Sequence, residues 1–434
     1  MNGKWSRSLS LTIASLEFAK LGRSRHVNGK TNRSWRVFSA VVTVLCVGAA
    51  CEDDTKAPAG NVDAAIAPTN NEAAVSAPLI DGQAGTVPAT ADQAGTVAST
   101  AGRADVVPTD VGRAGTSTTN DVDAGTVPND NRSERTNNAY VSNSFSNSVS
   151  VIDTVMNEVV ATIPVGTAPV NPTFTPDCQQ VYVSNSQADT LSVIDVNSNE
   201  VTTVPAGGNF PSGLAFTPDG KQLVVTLLGE TVLTPGYVAV ITLDTGEVSP
   251  LIPVDAQPER LALSKNGERA YVANIGGQTL SVIDLTRGEV VKTIIPGNLP
   301  FNVMISPDGN RVYVAAMMSN SVVVIDTKID EIVDTITTDS PNGMAFSLDF
   351  RSMFVTNAFT GTVQEISLET NEVVRTESVG GLPGFIELAK DGKHAYFVRP
   401  DGDTVEVLDT ETLTVVDTIT VEAVPSVIAI CHEI

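Results

Sequence analysis

Val181-Tyr-Val-Ser-Asn185, Leu191-Ser-Val-Ile-Asp195, Glu200-Val-Thr-Thr203 and Pro211-Ser-Gly-Leu-Ala-Phe-Thr-Pro-Asp-Gly220 decide the fold. They are four short runs rich in β-branched residues, parted by polar turns, within about 42 residues. Pro218-Asp219-Gly220 sets φ with Pro and supplies a residue tolerant of positive φ with Gly. Asp195-Val-Asn-Ser-Asn-Glu200 is a tight polar hairpin connection. The unit recurs. Copies begin at Ala139, Val181, Leu223, Ala270, Val312, Met353 and Ala395, at spacings of 42, 42, 47, 42, 41 and 42 residues. Four strands per copy make one blade, so seven copies predict an all-β chain ending in a seven-bladed β-propeller of four-stranded antiparallel blades. Helical periodicity is absent. A β-helix is the main competitor, but its rungs lack a hairpin turn between every pair of runs.

The register predicts how the ring closes. The domain opens on Ala139-Tyr-Val-Ser-Asn143, the second strand of a blade, and ends on Pro425-Ser-Val-Ile-Ala-Ile-Cys431, which matches the first strand Pro211–Thr217. The last strand should complete the first blade.

Residues 139–434 resemble the YVTN-repeat β-propeller family. Tyr-Val-Ser-Asn at 182–185, Tyr-Val-Ala-Asn at 271–274 and Phe-Val-Thr-Asn at 354–357 carry the motif, with Ser-Val-Ile-Asp at 281–284 and Ala-Phe-Thr-Pro-Asp-Gly at 215–220. The resemblance implies the propeller fold. It leaves function open, since some related propellers are lactonases or lyases and fold alone does not choose.

Charge divides the chain into three. Residues 1–50 carry a net +7, residues 51–137 a net −8 and residues 138–434 a net −23. So acidic a propeller is a poor partner for nucleic acid, which needs clustered Lys and Arg. Residues 1–50 read as a signal peptide. Lys30, Arg33 and Arg36 precede an apolar run from Val37 to Ala50 that is too short for a membrane span. Its end, Val47-Gly-Ala-Ala-Cys51, resembles the lipobox of bacterial lipoproteins, and Cys51 is the expected lipidation site, with Gly48 departing from the pattern. The chain is therefore expected to be exported, as an outer-membrane or cell-surface lipoprotein, or as a periplasmic or secreted protein if Cys51 is not lipidated. Residues 51–137 repeat every ten residues, as in Asp81-Gly-Gln-Ala-Gly-Thr-Val-Pro-Ala-Thr90, and contain no Phe, Trp or Tyr. Too few apolar groups are present to offset ordering entropy, so the segment reads as a disordered linker.

No catalytic constellation, metal set or cofactor motif stands out. The propeller holds only His394 and His432, and His394 falls in the turn Asp391-Gly-Lys-His394. Asp153, Asp195, Asp284, Asp326 and Asp409 share one repeat position, which points to Asx turns rather than acid–base chemistry. Cys178 and Cys431 are candidates for a disulfide in an exported chain, with two unpaired thiols as the alternative. The connections between blades share one face around the channel mouth, and the sequence places Asn171, Phe210, Glu259, Arg260, Phe301, Asn302, Asn342 and Phe385 on them. An insertion within Leu228–Tyr237 enlarges the same face. The expected role is a monomeric, non-catalytic scaffold for a protein or glycan partner at the cell surface, touching the membrane through its lipid alone. A lactonase-like enzyme and a surface-layer component are the alternatives.

Overall fold

The computed structural model describes residues 137–231 and 233–432. The expected signal segment, Cys51 and the linker up to residue 136 lie outside the described residues. Seven antiparallel sheets form the blades. Their inner strands adjoin one another in sequence order round a complete ring. Blade 1 takes its inner strand, Pro425–Ile430, from the C-terminus. That strand pairs antiparallel with Asn138–Asn143, Ala139 opposite Ile430 and Val141 opposite Ile428. The ring thus closes by pairing its two ends, as the register predicts. Inner strands of blades 2 to 7 are Pro169–Phe174, Pro211–Phe216, Pro258–Leu263, Pro300–Ile305, Pro341–Phe346 and Ile386–Leu388.

Burial follows position in the blade. The second strands lie between neighbouring blades and read as unbroken apolar runs, Ala139 to Val141 and Ala270 to Ala273 being fully buried. Outer strands such as Glu158–Pro164 alternate exposed and half-buried residues, because one face meets water. One blade departs from the expected four strands. The outer strand of blade 3 breaks into Glu247–Val248 and Ile252–Ala256. Pro250 lies in the gap and has no N–H for the ladder.

Three letters of the repeated motif, Tyr, Ser or Thr, and Asn, have mechanical tasks. Tyr140, Tyr182 and Tyr313 set their rings edge-on against Phe174, Phe216 and Phe346 of the next blade, with centroids 5.1–5.7 Å apart. Where that Phe is missing, the hydroxyl does the work. Tyr271 donates to Asp330 Oδ1 at 3.0 Å, and Tyr396 to Asn157 Oδ1 at 2.6 Å across the closing seam. Ser184 and Thr356 donate to the Ser212 and Gly384 carbonyls of the following inner strand, at 2.7 and 2.6 Å. The terminal Asn staples its hairpin. Asn185 Nδ2 donates to Thr190 Oγ1 and Ser192 Oγ at 3.1 and 2.9 Å, and Asn274 repeats the pattern with Thr279 and Ser281. In blade 7 the same two positions hold Arg399 and Glu406, paired Nε to Oε1 at 3.0 Å and largely buried.

The shared aspartates close Asx turns. Asp195 Oδ1 accepts from the N–H groups of Asn197 and Ser198, and Asp284 Oδ1 from those of Thr286 and Arg287. His394 is the first residue of the second strand of blade 7 rather than part of the turn before it, and its Nδ1 lies 2.6 Å from Asp391 Oδ2.

Candidate binding face at the channel mouth

The inner strands start at the channel mouth, and the two residues after each leading Pro differ in every blade: Val170-Asn171, Ser212-Gly213, Glu259-Arg260, Phe301-Asn302, Asn342-Gly343, Gly384-Phe385 and Ser426-Val427. This corrects the expected placement. Asn171, Glu259, Arg260, Phe301, Asn302 and Asn342 begin inner strands, and only Phe210 and Phe385 lie in connections between blades.

Four of the eight form one chain of contacts across the mouth. Arg260 of blade 4 donates through Nη1 to Asn171 Oδ1 of blade 2. Its guanidinium carbon lies 3.9 Å from the ring centroid of Phe385 in blade 7. The Phe385 ring stacks on Phe301 of blade 5, with centroids 5.7 Å apart and 28° between planes. Phe301 in turn packs on Ile275 and Met317. A cation over an aromatic face is held by the ring quadrupole, more firmly where water is excluded. Loss of solvent pulls the Arg260 guanidinium down to about 10, while neighbouring Glu259 pushes it back up. It stays charged at neutral pH. Glu259 is buried and its carboxyl titrates above the usual range, mainly through desolvation, with Arg260 and a hydrogen bond from Ser212 opposing that.

The others stand apart from this chain. Asn302 Oδ1 accepts from the N–H of Val303 at 2.9 Å. Asn342 is buried, and its Oδ1 has no hydrogen-bond partner. Phe210 is half-buried on the rim at φ 53°, its N–H on Asp189 Oδ1 at 2.9 Å. The insertion becomes the loop between Leu227 and Pro235, in which Thr234 Oγ1 accepts from the Thr231 N–H and donates to the Thr231 carbonyl, and Gln257 Nε2 donates to the same carbonyl at 3.0 Å. Cys178 and Cys431 are disulfide-bonded, Cα atoms 5.9 Å apart, on the face opposite the mouth. His432 lies there too, with Nε2 3.3 Å from Glu387 Oε1 and its pKa raised chiefly by that hydrogen bond. Among the described residues no three His, Cys, Asp or Glu side chains converge so as to hold a metal ion.

With fold and mouth established, comparison with known proteins places the architecture. Residues 117–230 match the model of the YNCE-like beta-propeller family. No curated protein matches the chain. Solved structures do. A functionally unknown protein from Desulfotomaculum acetoxidans DSM 771 aligns at 21% identity and a TM-score of 0.60, over 68% of this chain and 99% of its own. Hydrazine synthase of Kuenenia stuttgartiensis aligns at 22% and 0.56, over 63% and 92%. The dihydro-heme d1 dehydrogenase NirN in complex with DHE aligns at 18% and 0.52, over 68% and 75%. At such identities this propeller shares a fold with these proteins, and its function has to be argued from its own residues.

Sequence reasoning found the positions around the mouth but not their contacts. Arg260 and Asn171 are 89 residues apart, and nothing in a repeat period tells which side chains meet across its axis.

Proposed function

We propose that this YNCE-like propeller is an exported scaffold, anchored through a lipid on Cys51, that docks a protein or glycan partner on its mouth face. One observation carries the reading. The side chains at the centre of the mouth are engaged with one another, Arg260 bridging to Asn171 and lying on Phe385, which stacks on Phe301. A channel entrance crossed by such a chain presents a preorganised surface, which suits docking better than enclosing a small substrate. A lactonase-like reading asks for carboxylates or a His converging at the mouth. The described residues offer no such cluster, and His394 and His432 stand on the opposite face. Residues 51–137, acidic and without Phe, Trp or Tyr, have the composition expected of a tether.

The test is a pull-down from envelope extracts with the mature chain carrying Cys51→Ala for solubility, beside the same chain with Arg260→Ala. A partner retained by the first and lost or weakened in the second supports the scaffold. No retained partner, or one indifferent to Arg260, overturns it. Fractionation checks the anchor: the unaltered chain should sediment with membranes and the Cys51→Ala chain should be soluble.

A further inference from the structure

Seven arginines fall among the described residues, and six of them have a carboxylate oxygen within 4.0 Å: Arg269, Arg287, Arg311, Arg351, Arg375 and Arg399. Arg260 is the seventh. No ion pair reaches it among the described residues, although protein surrounds its guanidinium closely enough to pull its pKa down. A charge taken out of water is normally paired. Glu259, next in the chain, takes a hydrogen bond from Ser212 and acts on Arg260 through space.

The N–H groups of this guanidinium are used unevenly. Nη1 donates to Asn171 Oδ1, and that amide is itself fixed, since Asn171 Nδ2 donates to the Ser212 carbonyl at 3.1 Å. One face lies on Phe385, whose ring is stacked on Phe301. Among the described residues no hydrogen bond reaches Nε or Nη2, and Nε is buried without a partner. Those two nitrogens form one edge of the planar group, with N–H bonds that point the same way. Such an edge is the fork that donates two parallel hydrogen bonds to a carboxylate. The side chain as a whole is half-buried, so water still reaches part of it.

We infer that the Nε–Nη2 edge of Arg260 is a binding site for one carboxylate, supplied by a polypeptide partner of the mouth face as its chain terminus or an acidic side chain. The inference rests on the scaffold reading and names the group by which the partner is held. Asn171, Phe385 and Phe301 hold the guanidinium before binding, so little ordering remains when the carboxylate arrives. Its arrival satisfies the buried Nε and gives a desolvated charge its counter-charge. Charge separates a single carboxylate from more highly charged anions. Residues 138–434 carry a net −23 and Glu259 adjoins the site. The second charge of a phosphate, or the several charges of a polyuronic glycan, meets that repulsion with one guanidinium to offset it.

The test follows the arginine Nε–H signals by nuclear magnetic resonance in the mature chain carrying Cys51→Ala, isotopically labelled in arginine alone. The Arg260 signal is the one lost in Arg260→Lys, and unmoved signals from the other arginines show that this variant folds. The probes, at constant ionic strength, are acetate, acetamide, acetyl-trialanine with a free or an amidated C-terminus, inorganic phosphate and trigalacturonate. Acetate and the free tripeptide should move the Arg260 signal and saturate with a Kd in the millimolar range, as expected of one preorganised fork. Acetamide and the amidated tripeptide should leave it in place, and the other arginine signals should not saturate. Phosphate and trigalacturonate should bind no more tightly than acetate. An Arg260 signal indifferent to acetate and the free tripeptide, or a shift shared by all arginines, overturns the inference. Phosphate binding more than about tenfold tighter than acetate overturns the choice of carboxylate, and trigalacturonate doing so overturns the polypeptide source. If acetate fails while an envelope protein is still captured through Arg260, the carboxylate is wrong and the scaffold reading stands. If acetate binds while no envelope partner is retained, the anion site stands and the scaffold reading fails.

Discussion

Removing the Cys178–Cys431 bond should weaken the propeller by several kcal/mol. Cys431 follows the closing strand of blade 1, and Cys178 sits in the first turn of blade 2, so the bond joins the chain's end to the second blade. The closed loop has a sequence separation of 253. Loop entropy for that length gives about 5.5 kcal/mol at 25 °C as an upper bound, and natural bonds deliver about 2–5. The turn itself argues that the bond matters. Cys178 stands at φ 57°, where blades 3, 4, 5 and 7 place Gly. A residue with a Cβ is disfavoured there by about 1–2 kcal/mol. The assay is guanidinium unfolding of the mature chain and of its Cys178→Ala, Cys431→Ala variant, each unfolded with and without reductant. Both sulfurs are buried, so reduction has to be done in the unfolded state before refolding. The oxidised chain should exceed the reduced chain by roughly 3–5 kcal/mol, or about 5–8 °C in Tm for a domain of this size. The double variant should be indifferent to reductant. A midpoint unmoved by reduction in the unaltered chain, or moved equally in the variant, refutes the reasoning.

Deleting residues 425–434 removes the buried Val427, Ile428 and Ile430 and uncovers Ala139 and Val141. At about 1.5–3 kcal/mol for each large side chain the loss approaches the whole stability of a domain, so the truncated chain should fail to give a cooperative thermal transition. In blade 7, Glu406→Ser alone strands Arg399 and should cost about 3 kcal/mol, whereas adding Arg399→Asn restores the arrangement of Asn185 with Ser192 and should recover most of it. Denaturant midpoints of the four chains in that cycle check the coupling. Acid should destabilise the domain through the turn aspartates. Asp308, held down to about 2 by hydrogen bonds from Ser306 and Asn310, and Asp219, Asp349 and Asp391, all titrate below the ordinary carboxylate range. Their contribution is complete above the unfolded values near pH 4 and is lost as pH falls through the folded values. Asp308→Asn should flatten the acid limb of a stability–pH profile, and an unchanged limb would remove Asp308 from the account.

How much of this was legible in the chain follows from what a repeat encodes. Strand number, blade number and closure by Pro425–Ile430 are set by recurring local signals, each of which the sequence states seven times over. The Asx turns at Asp195 and Asp284 were legible for the same reason. The break in the blade 3 outer strand had a signal, Pro250, that the regularity of its neighbours obscured. The contacts of Arg260 had none, because the meeting of Asn171, Arg260, Phe301 and Phe385 is set by the radius and phase of the ring and not by any one copy.

The same reasoning says where evolution is free to write a function on this scaffold. Tyr, Thr or Ser, and Asn of the motif are each committed to holding one blade to the next or one hairpin to itself, so their variation reports on stability. Blade 7 shows as much, since Arg399 and Glu406 only rebuild the staple in another chemistry. At the mouth the second and third inner-strand positions lie outside the motif; Asn171 Nδ2 also donates to the Ser212 carbonyl of blade 3 at 3.1 Å, and two others are sterically committed. A Cβ on Gly213 would lie 2.8 Å from the Glu259 carbonyl oxygen, and one on Gly343 2.7 Å from that of Gly384. Those glycines let blades 3 and 6 approach their neighbours, and the neighbours carry Arg260 and Phe385. The positions that look empty therefore set how far the occupied ones reach, and the stack of Arg260 on Phe385 depends on two glycines in blades that contribute no side chain to it.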